Sequence, residues 1–221
     1  MVVDEDKVIK AVHSLNMTGN EEGLLFTFGV YLTNMYTDYY NALSFDFESE
    51  VIKSAGEEME EVVAGLLIHA AQDCANNTLG GIWMSQEWAS VVEPMVECKE
   101  DIIYGITAIT NALGWGNWEV VEIVPFERLV MRAYTPYEGP GYVDKYGKAK
   151  SGKCYMLAGV AGGLMDLVYP EGSENKTWQE IKPTGTPDLV ARIEKFIAKE
   201  VKCIAKGDPH CEFIATTWEK Q

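Results

Sequence analysis

Positive charge is what this chain has least of. Its 221 residues carry 18 Lys and Arg against 34 Asp and Glu, a formal net charge of −16, and no Lys or Arg occurs between Lys10 and Lys53. Phosphate-backbone binding draws its affinity from Lys and Arg, so nucleic acid is not expected as a partner of this chain alone. Docking on an anionic membrane is opposed for the same reason. Long apolar runs are also missing, and no window has the length a membrane-spanning helix needs. The N-terminus, Met1-Val-Val-Asp-Glu-Asp-Lys, lacks the basic-then-apolar layout of a secretory signal, and a cytoplasmic location is expected. There is no internal repeat and no low-complexity tract. His13 and His69 are dispersed, without partners that suggest catalysis. Gly159, Gly162 and Gly163 do not make a dinucleotide fingerprint, because they open no strand–turn–helix unit. With no nicotinamide or flavin motif and no acid/base constellation, the sequence leans against an enzyme.

What is present is one core's worth of apolar residues and a cluster of thiols. Hydrophobic residues make up 47% of the chain and charged residues 24%, the balance of a globular protein rather than a disordered one. The five cysteines are an odd count in a reducing compartment, where clustered thiols bind metal or do redox work more often than they form disulfides.

Apolar spacing predicts a short amphipathic helix over 4–15 and a second, aromatic-rich helix over 23–43, from the stripe Leu24, Phe28, Tyr31, Leu32, Met35, Tyr39 and Leu43. The second reads as core, or as a lid or dimer face. A third helix follows Met59 to Cys74 and is expected to end at Asn76-Asn77 and Gly80-Gly81, with Cys74 on its buried stripe. A fourth runs from Ile102 to Leu113. The period then changes to that of a β-hairpin, Trp118–Val124 and Leu129–Tyr134. Residues 136–152 read as loop. Cys154 to Val168 reads as a small-residue helix whose glycines allow close backbone packing. Residues 169–187 are loop-rich, Asp188 to Ala198 is a helix or a strand lead-in, and two strands close the chain around Gly207-Asp208-Pro209.

The chemistry lies in Glu200-x2-Cys203-x7-Cys211. Cys203 and Cys211 flank the turn, so two paired strands bring both sulfurs to one point. Zinc accepts thiolate, imidazole and carboxylate donors and favours four of them. Cys154, at a helix start where the backbone dipole favours thiolate, is one candidate for the remaining position, and His210 is another. Glu200 and Cys203 are an odd number of residues apart and would face opposite ways in a flat strand, so the strand must bulge or end there if both ligate. The alternative is a pair of core thiols beside a surface carboxylate.

Four blocks occur in one order: Asn111-Ala-Leu-Gly-Trp-Gly-Asn-Trp-Glu-Val, Leu129-Val-Met-Arg-Ala, Cys154-Tyr-Met-Leu-Ala-Gly-Val-Ala-Gly-Gly-Leu-Met, and Glu200-x2-Cys203-x3-Gly207-Asp208-x2-Cys211-x-Phe213. Together, over residues 55–219, they resemble the vinyl-4-reductase domain family of the nitric-oxide-signalling and Golgi-transport ligand-binding fold. The resemblance implies an α/β domain of the α+β type, an antiparallel sheet flanked by helices that enclose a small-molecule pocket. It covers a ligand-binding domain, 51–221, with 169–188 as an insertion, and leaves 1–50 as an N-terminal helical extension, which the aromatic stripe marks as a lid or dimer element. It also implies a zinc ion beside the pocket, held by Cys154, Glu200, Cys203 and Cys211.

The function so implied is a sensor or carrier of a small hydrophobic or aromatic molecule. Trp115, Trp118, Phe126, Tyr134 and Tyr155 are candidates to line the pocket. Two alternatives stand beside it: an accessory subunit or enzyme acting on a tetrapyrrole vinyl group, and a dimeric interaction or scaffold protein. A homodimer is the expected assembly.

Overall fold

The computed structural model describes residues 3–15, 17–185, 188–189 and 195–218. The chain is of mixed α/β type, built on a four-stranded antiparallel sheet. Its strands, in spatial order, are β3 (Trp118–Val124), β4 (Arg128–Ala133), β6 (Cys211–Thr217) and β5 (Phe196–Lys202). Period-two alternation gives this sheet one apolar face: Leu129, Met131 and Ala133 of β4 and Cys211, Phe213 and Ala215 of β6 are buried. Register places Met131 opposite Phe213 and Ala133 opposite Cys211.

Helix α7 (Tyr155–Val168) lies on that face against β4, β5 and β6, and α5 (Lys99–Ala112) packs beside β3. Only Met156 of α7 escapes full burial, as expected of a helix that is apolar on all sides. Helix α3 (Glu60–Met84) covers α7 from the side away from the sheet, and α1 (Glu5–His13) covers α5. The α7 glycines permit that layering. A Cβ on Gly159 would lie 2.4 Å from the Ala71 Cβ and 2.6 Å from the Ile68 carbonyl oxygen of α3. Buried Asp166 of α7 ties in the sheet edge, accepting from Lys195 N (2.8 Å) and Phe196 N (3.0 Å), while Gln72 of α3 donates to its other oxygen (2.5 Å). The remaining α-helices among the described residues are α2 (Thr37–Ala55), α4 (Gln86–Val91), α6 (Glu138–Tyr146) and the single-turn α8 (Trp178–Ile181).

The short first helix, the hairpin at 118–134, the glycine-packed α7 and the terminal strand pair agree with the sequence reading. Three other expectations are corrected. The aromatic stretch 23–43 is not one helix: it opens as a hairpin, β1 (Leu25–Thr27) with β2 (Val30–Leu32), and α2 starts only at Thr37. Phe28 and Gly29 both take positive φ (52° and 69°), the geometry of a tight two-residue hairpin turn, and this overrides the apolar spacing. Helix α3 does not stop at Asn76 but continues to Met84. Its Gly80 and Gly81 mark close approach rather than an end, since a Cβ at either would lie 2.3 Å from Leu189 or 2.5 Å from Val30. Residues 136–152 are not all loop. Glu138 starts α6, and Pro140 is tolerated in its first turn because the backbone N–H groups there have no intrahelical partner. Of the Asp188 to Ala198 stretch, β5 begins at Phe196, and residues 190–194 lie outside the described residues.

Candidate metal centre

Two hairpin strands and one helix start bring the donors together. Cys211 opens β6 on its buried face. Cys203 follows the end of β5, and a register shift between Glu200 and Lys202 re-aims Glu200, so the strand both bulges and ends where the ligand spacing demands it. The connection is held by Asp208, whose carboxylate accepts from Cys203 N at 2.8 Å, and by Gly207, whose φ of 93° is one that glycine adopts without strain. Cys154 is the residue before α7.

The Cys154 sulfur lies 3.4 Å from that of Cys211 and 4.0 Å from that of Cys203. These distances straddle the ~3.8 Å separation that tetrahedral geometry gives two thiolates about 2.3 Å from one zinc. One ligand atom from each of Cys154, Glu200, Cys203 and Cys211 falls within a 4.8 Å span. All three thiols are buried. Glu200 is half-buried: one carboxylate oxygen accepts from Cys154 N at 3.1 Å, and the other is buried without a hydrogen-bond partner. An unpartnered buried carboxylate oxygen beside three converging sulfurs fits a metal, and three soft donors with one carboxylate suit zinc.

The four donors also shift one another's titration. Burial pushes the Glu200 carboxyl up to about 8, with the negative charge of Cys203 adding to it. Cys203 is lowered because the Cys154 and Cys211 thiols hydrogen-bond to its sulfur, while burial raises Cys154. A backbone donor also reaches the cluster, with Ile204 N 3.3 Å from the Cys211 sulfur.

The fit is tight enough to explain residues whose roles the sequence reading missed. A Cβ on Gly152 would meet the Glu200 carboxylate at 2.4 Å, and one on Gly139 would touch the sulfurs of Cys154 and Cys211 at 3.4 and 3.5 Å. Glu138, fully buried, accepts from Met156 N (3.0 Å) and Leu157 N (3.1 Å) and so caps α7; burial lifts its carboxyl to about 8. No spacing rule would have found Glu138, since its partners lie across a helix and a loop. The Gly-Pro-Gly around it was the available signal.

The other thiols are elsewhere. Cys74 and Cys98 are exposed, which corrects the expectation that Cys74 is buried: α3 turns Ala71, Gln72 and Ala75 toward α7 and leaves Cys74 outside. His210 is outside the donor group, its ring 5.6 Å from that of Tyr134.

The five aromatic candidates are dispersed. Trp118 and Tyr134 border one open groove of about 540 Å³, with Glu5 and Glu119. The Trp115 carbonyl accepts from Trp118 Nε1 at 3.4 Å, beside that groove. Phe126 leans on Tyr169 at 4.7 Å, and Tyr155 lies near Phe45, its hydroxyl donating to Glu48 at 2.8 Å. A separate apolar cavity of about 50 Å³ sits beneath α1, lined among others by Val8, Val12, Phe28, Val92 and Ile109. A cavity that binds benzene measures about 150 Å³, so an aromatic guest here needs the lining to move.

No protein-family model matches the sequence, and no curated protein matches it either. Solved structures do match the fold. The phenol-responsive sensory domain of the transcription activator PoxR, solved with phenol, superposes with a TM-score of 0.65 at 15% identity, over 98% of this chain and 90% of that one. The chain shares the fold of that sensory domain. A vinyl-4-reductase family protein from Methanocaldococcus jannaschii aligns with a TM-score of 0.40 at 12% identity, over 96% of this chain and 93% of that one. Among the described residues no helix is long and apolar enough to cross a membrane.

Proposed function

We propose that this chain is a binding module, a sensor or carrier for a small hydrophobic or aromatic molecule, with a zinc ion held by Cys154, Glu200, Cys203 and Cys211. The carrying observation is the donor group itself, four ligand atoms within 4.8 Å, three on buried thiols and one on a carboxylate with a buried unpartnered oxygen. Zinc bound by four protein ligands has no open position, so its chemistry here is to neutralise the buried thiolates and cross-link α7 to the terminal hairpin. Catalysis is not its role.

The shared fold with a phenol-binding sensory domain supports the ligand class. The cavity beneath α1 is the seat we favour, because it is apolar and is closed by Val8 and Val12 of the N-terminal extension. In that reading residues 1–50 act as a lid on the domain formed by 51–221. The exposed rings of Phe26, Tyr31, Tyr36 and Tyr39 form a second surface of the same extension and favour a homodimer.

Native mass spectrometry of freshly purified protein tests the reading. The expected species is one zinc per chain, with phenol added as a single retained adduct. A folded, metal-free chain would refute the site, and failure to retain phenol or any single-ring analogue would refute the ligand class.

A further inference from the structure

We propose that the groove between α2 and the α6–α7 connection is a second ligand site, one for a small organic anion with an aromatic body. Its lining includes none of the four metal-donor residues and none of the residues around the cavity beneath α1. The chain as a whole carries a net charge of −16 and repels anions. At this groove the sign reverses, with Lys53, Lys148, Lys150 and Lys153 on its lining against only Glu48 and Glu60.

The lysines differ in what they have left to give. Lys153 is 3% exposed and satisfied, donating to Glu48 at 2.6 Å and to Glu60 at 2.9 Å. Lys53 pairs with Glu50 at 2.7 Å, and on the rim Lys145 pairs with Asp46 at 2.6 Å. Lys148 and Lys150 are exposed and make no ion pair among the described residues. They flank buried Ala149 on the lining of the groove; the Lys148 ammonium rests beside Gly207, and turned to the groove the two side chains would give a bound carboxylate charge-assisted hydrogen bonds.

The opposite wall supplies the complement. The Tyr142 and Tyr146 rings lie 5.1 Å apart, with buried Phe45 supporting Tyr142 edge-on from behind at 5.1 Å, so an aromatic wall borders the cations. The groove measures about 300 Å³, ample for a single ring and its acid group. Neutral phenol would gain the wall but not the lysines. Inorganic phosphate would gain the lysines but not the wall. An arene carboxylate gains both, and with Lys153 held by Glu48 and Glu60 the exposed, unpaired Lys148 and Lys150 are the cations best placed to receive it.

Titration of the full chain with benzoate, phenol and inorganic phosphate at constant ionic strength, followed by protein-observed NMR, separates these ligands. Benzoate is expected to bind about tenfold more tightly than phosphate, with its largest shifts at Tyr142 and Tyr146. The Lys148→Gln/Lys150→Gln double variant is expected to weaken benzoate by about tenfold and to leave phenol binding and thermal stability unchanged. Benzoate and phosphate of equal affinity would reduce the groove to a diffuse cationic patch and overturn the proposal. So would benzoate binding that survives the double variant. Loss of phenol binding alone would count against the cavity beneath α1 and leave this groove intact.

Discussion

Two buried polar clusters sit back to back, and they settle their charge in different ways. In one, Lys153 supplies the cation: its ammonium donates to Glu48 and Glu60, and the Tyr155 hydroxyl completes the set. In the other, Cys154, Cys203, Cys211 and Glu200 meet one another and backbone N–H groups, and one Glu200 oxygen has no partner. Residues 151–155 serve both by alternation. Ser151, Lys153 and Tyr155 turn toward the first cluster, while Gly152 and Cys154 turn toward the second. The contrast teaches that this chain meets a buried carboxylate in two ways, with a side-chain cation at Glu48 and with backbone N–H donors at Glu138 and Asp166. The thiol cluster has no such cation and leaves one Glu200 oxygen without a partner, so its four donors could hold a metal ion.

The contrast breaks most sharply at Cys203. A Cys203→Ser variant is expected to lose the metal and about 5 kcal/mol or more of stability, because structural zinc contributes on the order of 10 kcal/mol to folding. Chemical denaturation beside metal analysis checks it, and wild-type stability without bound metal would erase the distinction between the clusters. Lys153→Met comes next. It strands Glu48, whose side chain is 4% exposed, and a loss of about 3–5 kcal/mol is expected with metal content retained. Loss of metal together with stability would mean that the two clusters form one cooperative unit. Smallest is Gly159→Ala, which touches neither cluster. It presses a methyl into Ala71 and the Ile68 carbonyl and is expected to cost about 1–3 kcal/mol, measured by denaturant midpoint, with metal and Lys153 pairing unchanged.

How much of this was legible beforehand follows from how local each determinant is. The thiol hairpin was readable because Cys203, Gly207, Asp208 and Cys211 lie within one turn, and the odd Glu200 to Cys203 spacing forced the bulge that is present. Glycines 159, 162 and 163 were readable as close packing, since they cost helix propensity without ending the helix. The hairpin at Phe28-Gly29 was not, because positive φ at a phenylalanine leaves no trace in apolar periodicity. Nor was the length of α3, where Gly80 and Gly81 yield to Leu189 and Val30 from distant parts of the chain. The Lys153 network was invisible for the same reason: Glu48, Glu60 and Lys153 are separated by up to 105 residues.

X-ray absorption at the zinc edge of the purified protein tests the central claim most directly. One zinc with three sulfurs at about 2.3 Å and one oxygen at about 2.0 Å is the expected shell. A shell with fewer than three sulfurs, or a chain that folds to full stability with no metal at all, would contradict it.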